Sequence, residues 1–323
     1  MEKVSIIIPV YNRSDNKRGA EYLREAIDSA LSQTYENIEV IVVNDGSDDE
    51  GASERTALSY GEKIRYFYKE NGGVSSALNL GINKASGDWI SWLSHDDLYT
   101  SDKISTQMKD VEKVKVSGKE YRKYLYYCRG GFINSNGDKI KKSTKTLSDG
   151  LYNGSDVIHE ILNGYGIGGC GLLMPKKMFE DVGSFEEDMR YSQDWFMWVN
   201  AFIFGYGLYV NNKIMSLTRL HNMQTSTTGQ GFRQADRKKT AEFLSKKLVG
   251  MTDSKNNNLL KDYMYLCVFE GLNEWGIKIY YELKKRKEAN VGDFFRLHLL
   301  KVTGRIKACL AQKYYLIRYG VKR

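Results

Sequence analysis

At 323 residues, with 41% hydrophobic residues and only two prolines, the chain has the length and composition of one large globular domain or of one domain with a smaller appendage. Its net charge of +8 is unevenly spread: Tyr281 to Arg323 holds 12 Lys or Arg against 3 Asp or Glu, which leaves the rest close to neutral. That distribution does not predict a nucleic-acid partner, which would want a basic face on the folded body.

Val4–Val10 is a short, apolar, β-branched run closed by Pro9 and Val10, and it predicts a buried strand. Leu23, Ala26, Ile27, Ala30 and Leu31 follow at helical spacing. Ile38–Val43 predicts a second strand that ends in Asn44-Asp45-Gly46-Ser47. Strand, helix and strand in so short a stretch imply a right-handed crossover. Further strands are predicted at Ile64–Tyr68 and Asp88–Leu93, separated by the turn Asn71-Gly72-Gly73 and a helix from Val74. The alternation predicts a mostly parallel sheet. Lys103–Val116 reads as a helix, and 121–146 as strand-like with a hairpin tip at Asn134–Asp138. Five glycines between Gly164 and Gly171 lead into Leu172–Pro175. Trp195–Phe204 reads as a helix and Gly207–Val210 as a return strand. After Gly229 and Gly231 the pattern turns helical, so a boundary is expected near residue 228.

Acids gather where predicted strands run out: Asp45 after the second, and Asp96-Asp97 in Ser94-His95-Asp96-Asp97 after the fourth. Ligands of open α/β sheets collect at these carboxyl ends. Asp-Gly-Ser is also an ordinary turn, and either later Asp could simply cap a helix. Tyr11, in Pro9-Val10-Tyr11-Asn12, could lie flat against a nucleobase, although an ordinary loop with an exposed tyrosine explains it more simply. Neither Gly-x-Gly-x-x-Gly after the first strand nor a Gly-x-x-x-x-Gly-Lys loop is present, so phosphates would need another counter-charge. A carboxylate holding Mg²⁺ or Mn²⁺ supplies one. Asp194 precedes an aromatic run, where desolvation would make it a stronger base, although helix capping explains the position too. His221 is a candidate metal or phosphate ligand, against the commoner structural role of a lone histidine.

The order and spacing of Ser5–Asn12, Asn44–Asp49, Asn71-Gly72-Gly73 with Ser76-Ala77-Leu78-Asn79 and Gly81, Gly87-Asp88-Trp89, Leu93–Asp97 and Ser192-Gln193-Asp194-Trp195 resemble the family 2 glycosyltransferases. Arg219, His221, Gln224 and Ser226 complete the pattern, which covers roughly residues 3 to 228. The resemblance implies a GT-A fold over 1–228, with a helical C-terminal region over 229–323. It also implies inverting, metal-dependent transfer from a UDP-sugar to a hydroxyl of a glycan or glycoconjugate, in bacterial surface polysaccharide or glycoprotein glycan assembly. Carried onto this sequence, Pro9, Val10, Tyr11 and Asn12 would line base and ribose, and Asp45 would bond the uracil edge. Asn79 would join the sugar-nucleotide contacts, and Asp96 would sit at the ribose and metal. Asp97 and His221 would bind Mn²⁺ or Mg²⁺, and Asp194 would be the base. Many members carry a further Asp where this chain has Ser94.

Cys128, Cys170, Cys267 and Cys309 are widely separated, which predicts reduced, buried thiols. No run approaches about 18 uninterrupted apolar residues, and the start does not read as a signal peptide, so a cytoplasmic location is expected. Phe294 to Leu310 alternates apolar with basic residues and could touch the inner face of a membrane, or pack as an ordinary helix with a solvated face. An oligomer is possible. The rival readings are a sugar nucleotidyltransferase and a catalytically silent sugar-nucleotide-binding protein.

Overall fold

The computed structural model describes residues 1–141, 146–162 and 165–221, and beyond them 236, 239–240, 242–243, 260–261, 263–265, 267–268, 272–293 and 297. The chain divides into two compact units. One comprises Met1–Val157 and Gly164–Arg233, the other Ile158–Asn163 and Gln234–Arg323. The main break therefore falls a few residues beyond the boundary expected at 228.

The first unit is built on one sheet: β1 (Val4–Val10), β2 (Ile38–Asp45), β3 (Arg65–Lys69), β4 (Trp89–Trp92), β5 (Leu98–Tyr99), β6 (Tyr124–Ile133), β7 (Lys139–Ile140), β8 (Gly150–Tyr152), β9 (Leu172–Pro175) and β10 (Gly207–Arg219). Its order is β3-β2-β1-β4-β9-β6-β10-β5, with β7 beside β6 and β8 beside β10. The expected parallel character holds from β3 to β4. β9 then runs antiparallel to both neighbours, and β10 is parallel to β6 but antiparallel to β5 and β8. The sheet is mixed: a parallel half joined to a half of both senses.

Around it lie α1 (Gly19–Leu31), α2 (Ala52–Leu58), α3 (Val74–Lys84), α4 (Lys103–Val116), α6 (Lys177–Val182) and α7 (Gln193–Ile203), while α5 (Gly154–Leu162) straddles the division and belongs from Ile158 to the other unit. Successive side chains of a strand point to opposite faces. Accordingly Val4, Ile6, Ile8 and Val10 of β1 share one core with Leu23, Ala26, Ile27 and Ala30 of α1. Ile7 points the other way, against α3, where a Cβ on Gly81 would lie 2.4 Å from its Cγ2. Only glycine lets α3 settle so close to β1. All seven residues of β1 are buried, as expected of a strand covered on both faces. Each fully buried Ile there contributes roughly 1.5–3 kcal/mol.

The strand order reverses at β1, which has β2 on one side and β4 on the other. Such a reversal opens a crevice beyond the carboxyl ends of the strands. The exit of β4 is braced from below. Tyr99 donates its hydroxyl to the Trp92 carbonyl at 2.5 Å and lies 2.9 Å from Ser91 Oγ. Fully buried Lys103 donates to Ser91 Oγ (3.0 Å) and Gln107 Oε1 (2.9 Å), with its ammonium 4.2 Å from the centre of the Tyr99 ring. Burial pulls this ammonium down to about 8.

In the second unit α8 (Asn273–Lys285) buries Gly276, Ile279, Tyr280 and Leu283. Beyond it the Asp293 carboxylate accepts bonds from Tyr265 Oη and the Asn290 amide, and pairs with Lys261. Among the described residues no helix is long and apolar enough to cross a membrane. Cys128, Cys170 and Cys267 are buried free thiols. Cys309, Gln224, Ser226 and, apart from Leu297, the basic alternating tail from Phe294 lie outside the described residues.

Candidate active site

Pro9 and Val10 pair in register with Val43 and Asn44 of β2, and both are buried in the sheet. Of the four residues expected to line a base, Tyr11 is the exposed one, with 43% of its surface accessible. Asn12 is buried and laces the strand exits together. Its backbone N–H donates to Ser47 Oγ (3.0 Å) and its carbonyl accepts the Asp48 N–H (2.8 Å). Its side-chain amide donates to Ser53 Oγ (2.9 Å), and its Oδ1 lies 3.0 Å from His95 Nε2. The loops after β1, β2 and β4 thus share one buried amide. Burial holds the His95 imidazole below its ordinary pKa.

Asp45, at the end of β2, is almost fully buried. Its Oδ1 accepts from Lys69 Nζ (2.7 Å) and the Gly72 N–H (3.0 Å), and its Oδ2 from the Gly73 N–H (2.7 Å). The carboxylate therefore shapes the turn that starts α3. Gly73 has φ +91°, and a Cβ there would meet the Arg190 guanidinium at 2.8 Å. The positive φ favours glycine at this position, and the Arg190 guanidinium lies over the N-terminal end of α3. Lys69 was not anticipated. Its signal was the strand register: Lys69 stands directly opposite Asp45 across β2 and β3.

The two acids after β4 face different surroundings. Asp96 Oδ2 lies 2.9 Å from His221 Nε2. Burial works against its charge, but the His221 hydrogen bond and the nearby imidazoles outweigh it and hold the carboxyl below the usual range. Asp97 turns inward. Its Oδ1 accepts the Arg219 backbone N–H (2.9 Å), and its Oδ2 lies 3.4 Å from Cys170 Sγ. Burial, reinforced by the neighbouring Asp96 charge, pushes its carboxyl well above the usual range. Of the two residues expected at a metal, His221 thus lies against Asp96, while Asp97 ties β10 to the loop after β4.

Arg219, fully buried at the end of β10, organises this corner. Its Nε donates to the Asp96 carbonyl (2.9 Å), its guanidinium pairs with Glu25 of α1, and it stacks 4.4 Å from the centre of the Tyr22 ring. It also reaches the Ser135 carbonyl at the hairpin tip (3.3 Å). Cys170 adds a second brace, since its Sγ accepts the Ser94 N–H at 3.3 Å. Nothing in the residues around Cys170 marks this role; only the pairing of β9 with β4 creates it.

Asp194 occupies the first turn of α7 and is half-buried. Its Oδ1 accepts the N–H of Trp195 at 2.6 Å. Desolvation pushes its carboxyl up to about 6, partly offset by that bond. Its place at the sheet edge follows from its neighbours. Trp198 lies one turn on, on the same face of α7. Phe185 packs edge-on against both Trp198 (centroids 5.8 Å apart) and Trp92 (6.1 Å), and Trp92 ends β4 two residues before Ser94. Arg190, anchored over Gly73, is four residues from Asp194, which limits their backbone separation to about 14 Å. Asn79, expected at the sugar nucleotide, is otherwise engaged. Its Nδ2 donates to the Phe185 carbonyl and to Glu187 Oε1 (both 2.9 Å), and its Oδ1 accepts the Phe185 N–H (2.9 Å).

At the reversal of the α/β sheet the strand ends gather one deeply bonded acid and an acid–histidine pair, at the place where open α/β sheets bind their ligands. Residues 5–135 match the family model described as glycosyl transferase family 2. A protein of Rickettsia typhi named as a glycosyltransferase is 41% identical over 232 residues, 70% of this chain and 66% of its own length. A similarly named protein of Rickettsia conorii is 45% identical over 225 residues, 69% of this chain and 35% of its own length. The chain thus spans between about a third and two thirds of these relatives. Among solved structures, TarS 1–349 of S. aureus in complex with UDP-GlcNAc has a TM-score of 0.63 at 14% identity, over 87% of this chain and 77% of that one. Its UDP complex gives 0.62 over 91% and 80%. This chain belongs to glycosyltransferase family 2, and its first unit has the GT-A fold.

Proposed function

We propose that the first unit transfers a sugar, with inversion, from a UDP-sugar to a hydroxyl of a glycan or glycoconjugate, using Asp194 as base and a divalent cation. Asp194 is the observation that carries the reading. A sugar hydroxyl is a poor nucleophile at neutral pH, and a carboxylate with a pKa about 6 accepts its proton more readily than an ordinary one. Attack from the face opposite the departing diphosphate inverts the anomeric centre with one base. The UDP-GlcNAc complex of TarS supports a UDP-sugar as donor. Tyr11 offers an exposed ring for the base, beside Asn12 and Asp45 at the adjoining strand ends.

For the cation, the donor set is Asp96 and His221. Among the described residues no group of three His, Cys, Asp or Glu converges to hold an ion. Two protein donors suit an ion whose remaining positions go to diphosphate oxygens and water. When bound, Mn²⁺ or Mg²⁺ would stabilise charge on the leaving diphosphate. A role in bacterial surface glycan assembly follows the family resemblance and the bacterial relatives.

The test is a panel of UDP-sugars incubated with the protein and Mn²⁺ or Mg²⁺, with UDP release and sugar transfer followed by mass spectrometry. Slow, cation-dependent release of UDP from one donor is expected. Pyrophosphate-dependent formation of UTP would instead identify a nucleotidyltransferase, and tight binding without turnover a silent binding protein.

A further inference from the structure

The amide of Asn79 closes a two-point pairing with the backbone of Phe185, accepting its N–H and donating to its carbonyl, both at 2.9 Å. That is how one strand residue holds another. Here a helix side chain takes the part of a strand, and a third bond to Glu187 Oε1 fixes which way round the amide sits. The segment so held has no sheet partner of its own: it lies between α6 and α7. Phe185, only 3% exposed, fills the space among Trp92 at the end of β4, Phe179 of α6 and Trp198 of α7. Because Asp194 and Trp198 share a face of α7, the position of Phe185 sets the height of the carboxylate above the strand ends.

We infer that Asn79 is a positioning residue for Asp194, the clamp that fixes the base-bearing helix relative to the sheet edge, and not a ligand of the sugar nucleotide. The inference rests on the reading of Asp194 as base. It accounts for an amide at this site. Aspartate would keep the bond from the Phe185 N–H but oppose a second carboxylate, Glu187, and the Phe185 carbonyl. Leucine would lose all three bonds and leave a buried N–H without a partner.

The test compares Asn79→Asp and Asn79→Ser with wild type in the full-length chain. UDP binding is measured by calorimetry, kcat and its pH profile on the active UDP-sugar, and hydrogen exchange of 183–198 by mass spectrometry. Both variants are expected to bind UDP within twofold of wild type and to lose roughly tenfold or more in kcat, since misplacement by about 1 Å costs on that scale or above. The acid limb of kcat should move to lower pH as the loosened base regains water, and exchange should speed up in 183–198 while β1 and β2 keep their protection. UDP affinity falling in step with kcat, with exchange unchanged, would make Asn79 a donor ligand and overturn the inference. Faster exchange throughout the unit with an unmoved pH limb would make it a merely structural residue and overturn it equally. Glu187→Gln, which keeps an acceptor at Oε1, should behave as wild type; a loss as large as that of Asn79→Asp would mean that Glu187 acts by its charge, contrary to the clamp. Exchange reads the clamp even where no donor is turned over, so its failure and the failure of the glycosyltransferase reading are told apart.

Discussion

Two acids at the strand ends, Asp45 and Asp96, and the acid on α7 are treated in opposite ways. Asp45 and Asp96 are each matched to a basic group, Lys69 at 2.7 Å and His221 at 2.9 Å. On α7, Asp194 is shielded from water and bonded to a backbone N–H, with no cation beside it among the described residues. His221 holds the Asp96 carboxyl in its charged form, and Asp45 is tied to a lysine and two backbone N–H groups. Asp194, the proposed base, is left short of stabilisation, which raises its basicity. The sharpest way to break this contrast is Asp194→Asn. The amide preserves size and the bond from Trp195 N–H but cannot accept a proton. A loss of ~10²–10⁴-fold in kcat is expected, with UDP affinity within twofold. The same contrast fixes a pH dependence. The base works deprotonated, so kcat/KM should be level above neutrality and fall through a midpoint near the base's pKa of about 6 as the solution is acidified. A midpoint near 4 would show that Asp194 is not desolvated or is not the base.

The same division marks what the sequence revealed. Strands β1, β2 and β4 were legible because their apolar runs are largely buried, and helix α1 because its apolar spacing is unbroken. Asp45, Asp96 and Asp194 could be picked out because they sit at predicted strand ends or before an aromatic helix. Which residues each would meet could not be read. Arg219 meets Glu25 and Asp96 across separations of 194 and 123 residues, and Cys170 meets Asp97 across 73. No local pattern encodes such meetings; they arise when β9 and β10 join the sheet. The short β5, β8 and α6 were missed for a related reason, since two to six residues carry too little periodicity to stand out. Asn79 shows the limit from the other side: a motif names the residue, but only the fold shows that its amide serves the 185–187 segment.

A second comparison lies within one dipeptide. Asp96 faces His221, and Asp97 faces Cys170 and the Arg219 N–H. Calorimetry of UDP binding with and without Mn²⁺ should separate them. Asp96→Asn is expected to remove most of the gain that Mn²⁺ brings, roughly tenfold or more, as even the outer partners of metal ligands cost that much. Asp97→Asn keeps an acceptor for the Arg219 N–H and should retain the Mn²⁺ response while lowering thermal stability modestly. The reverse ranking would return the metal to Asp97 and dismiss the Asp96–His221 pair.

The smallest effect is expected at Lys69, and it tests whether the strand ends and α7 are as separate as their electrostatics suggest. Lys69→Met keeps the length of the side chain and removes the charge that faces Asp45. The Asp45 carboxylate would still hold the Gly72 and Gly73 N–H groups, so the turn into α3 should persist. Losing one charge-assisted bond at a mostly buried carboxylate costs about 1.5–3 kcal/mol before relaxation, and Lys69 is itself accessible enough for water to replace part of it. Stability should therefore fall by only about 1 kcal/mol and UDP affinity by roughly fivefold. At saturating donor kcat should be unchanged, because Asp194 stands on α7 and owes its basicity to desolvation, with no contribution from Lys69. A fall in kcat with UDP affinity intact would mean that the N-terminal end of α3 couples to the base, and Arg190, which touches α3 at Gly73 four residues before Asp194, would be the side chain through which it does so.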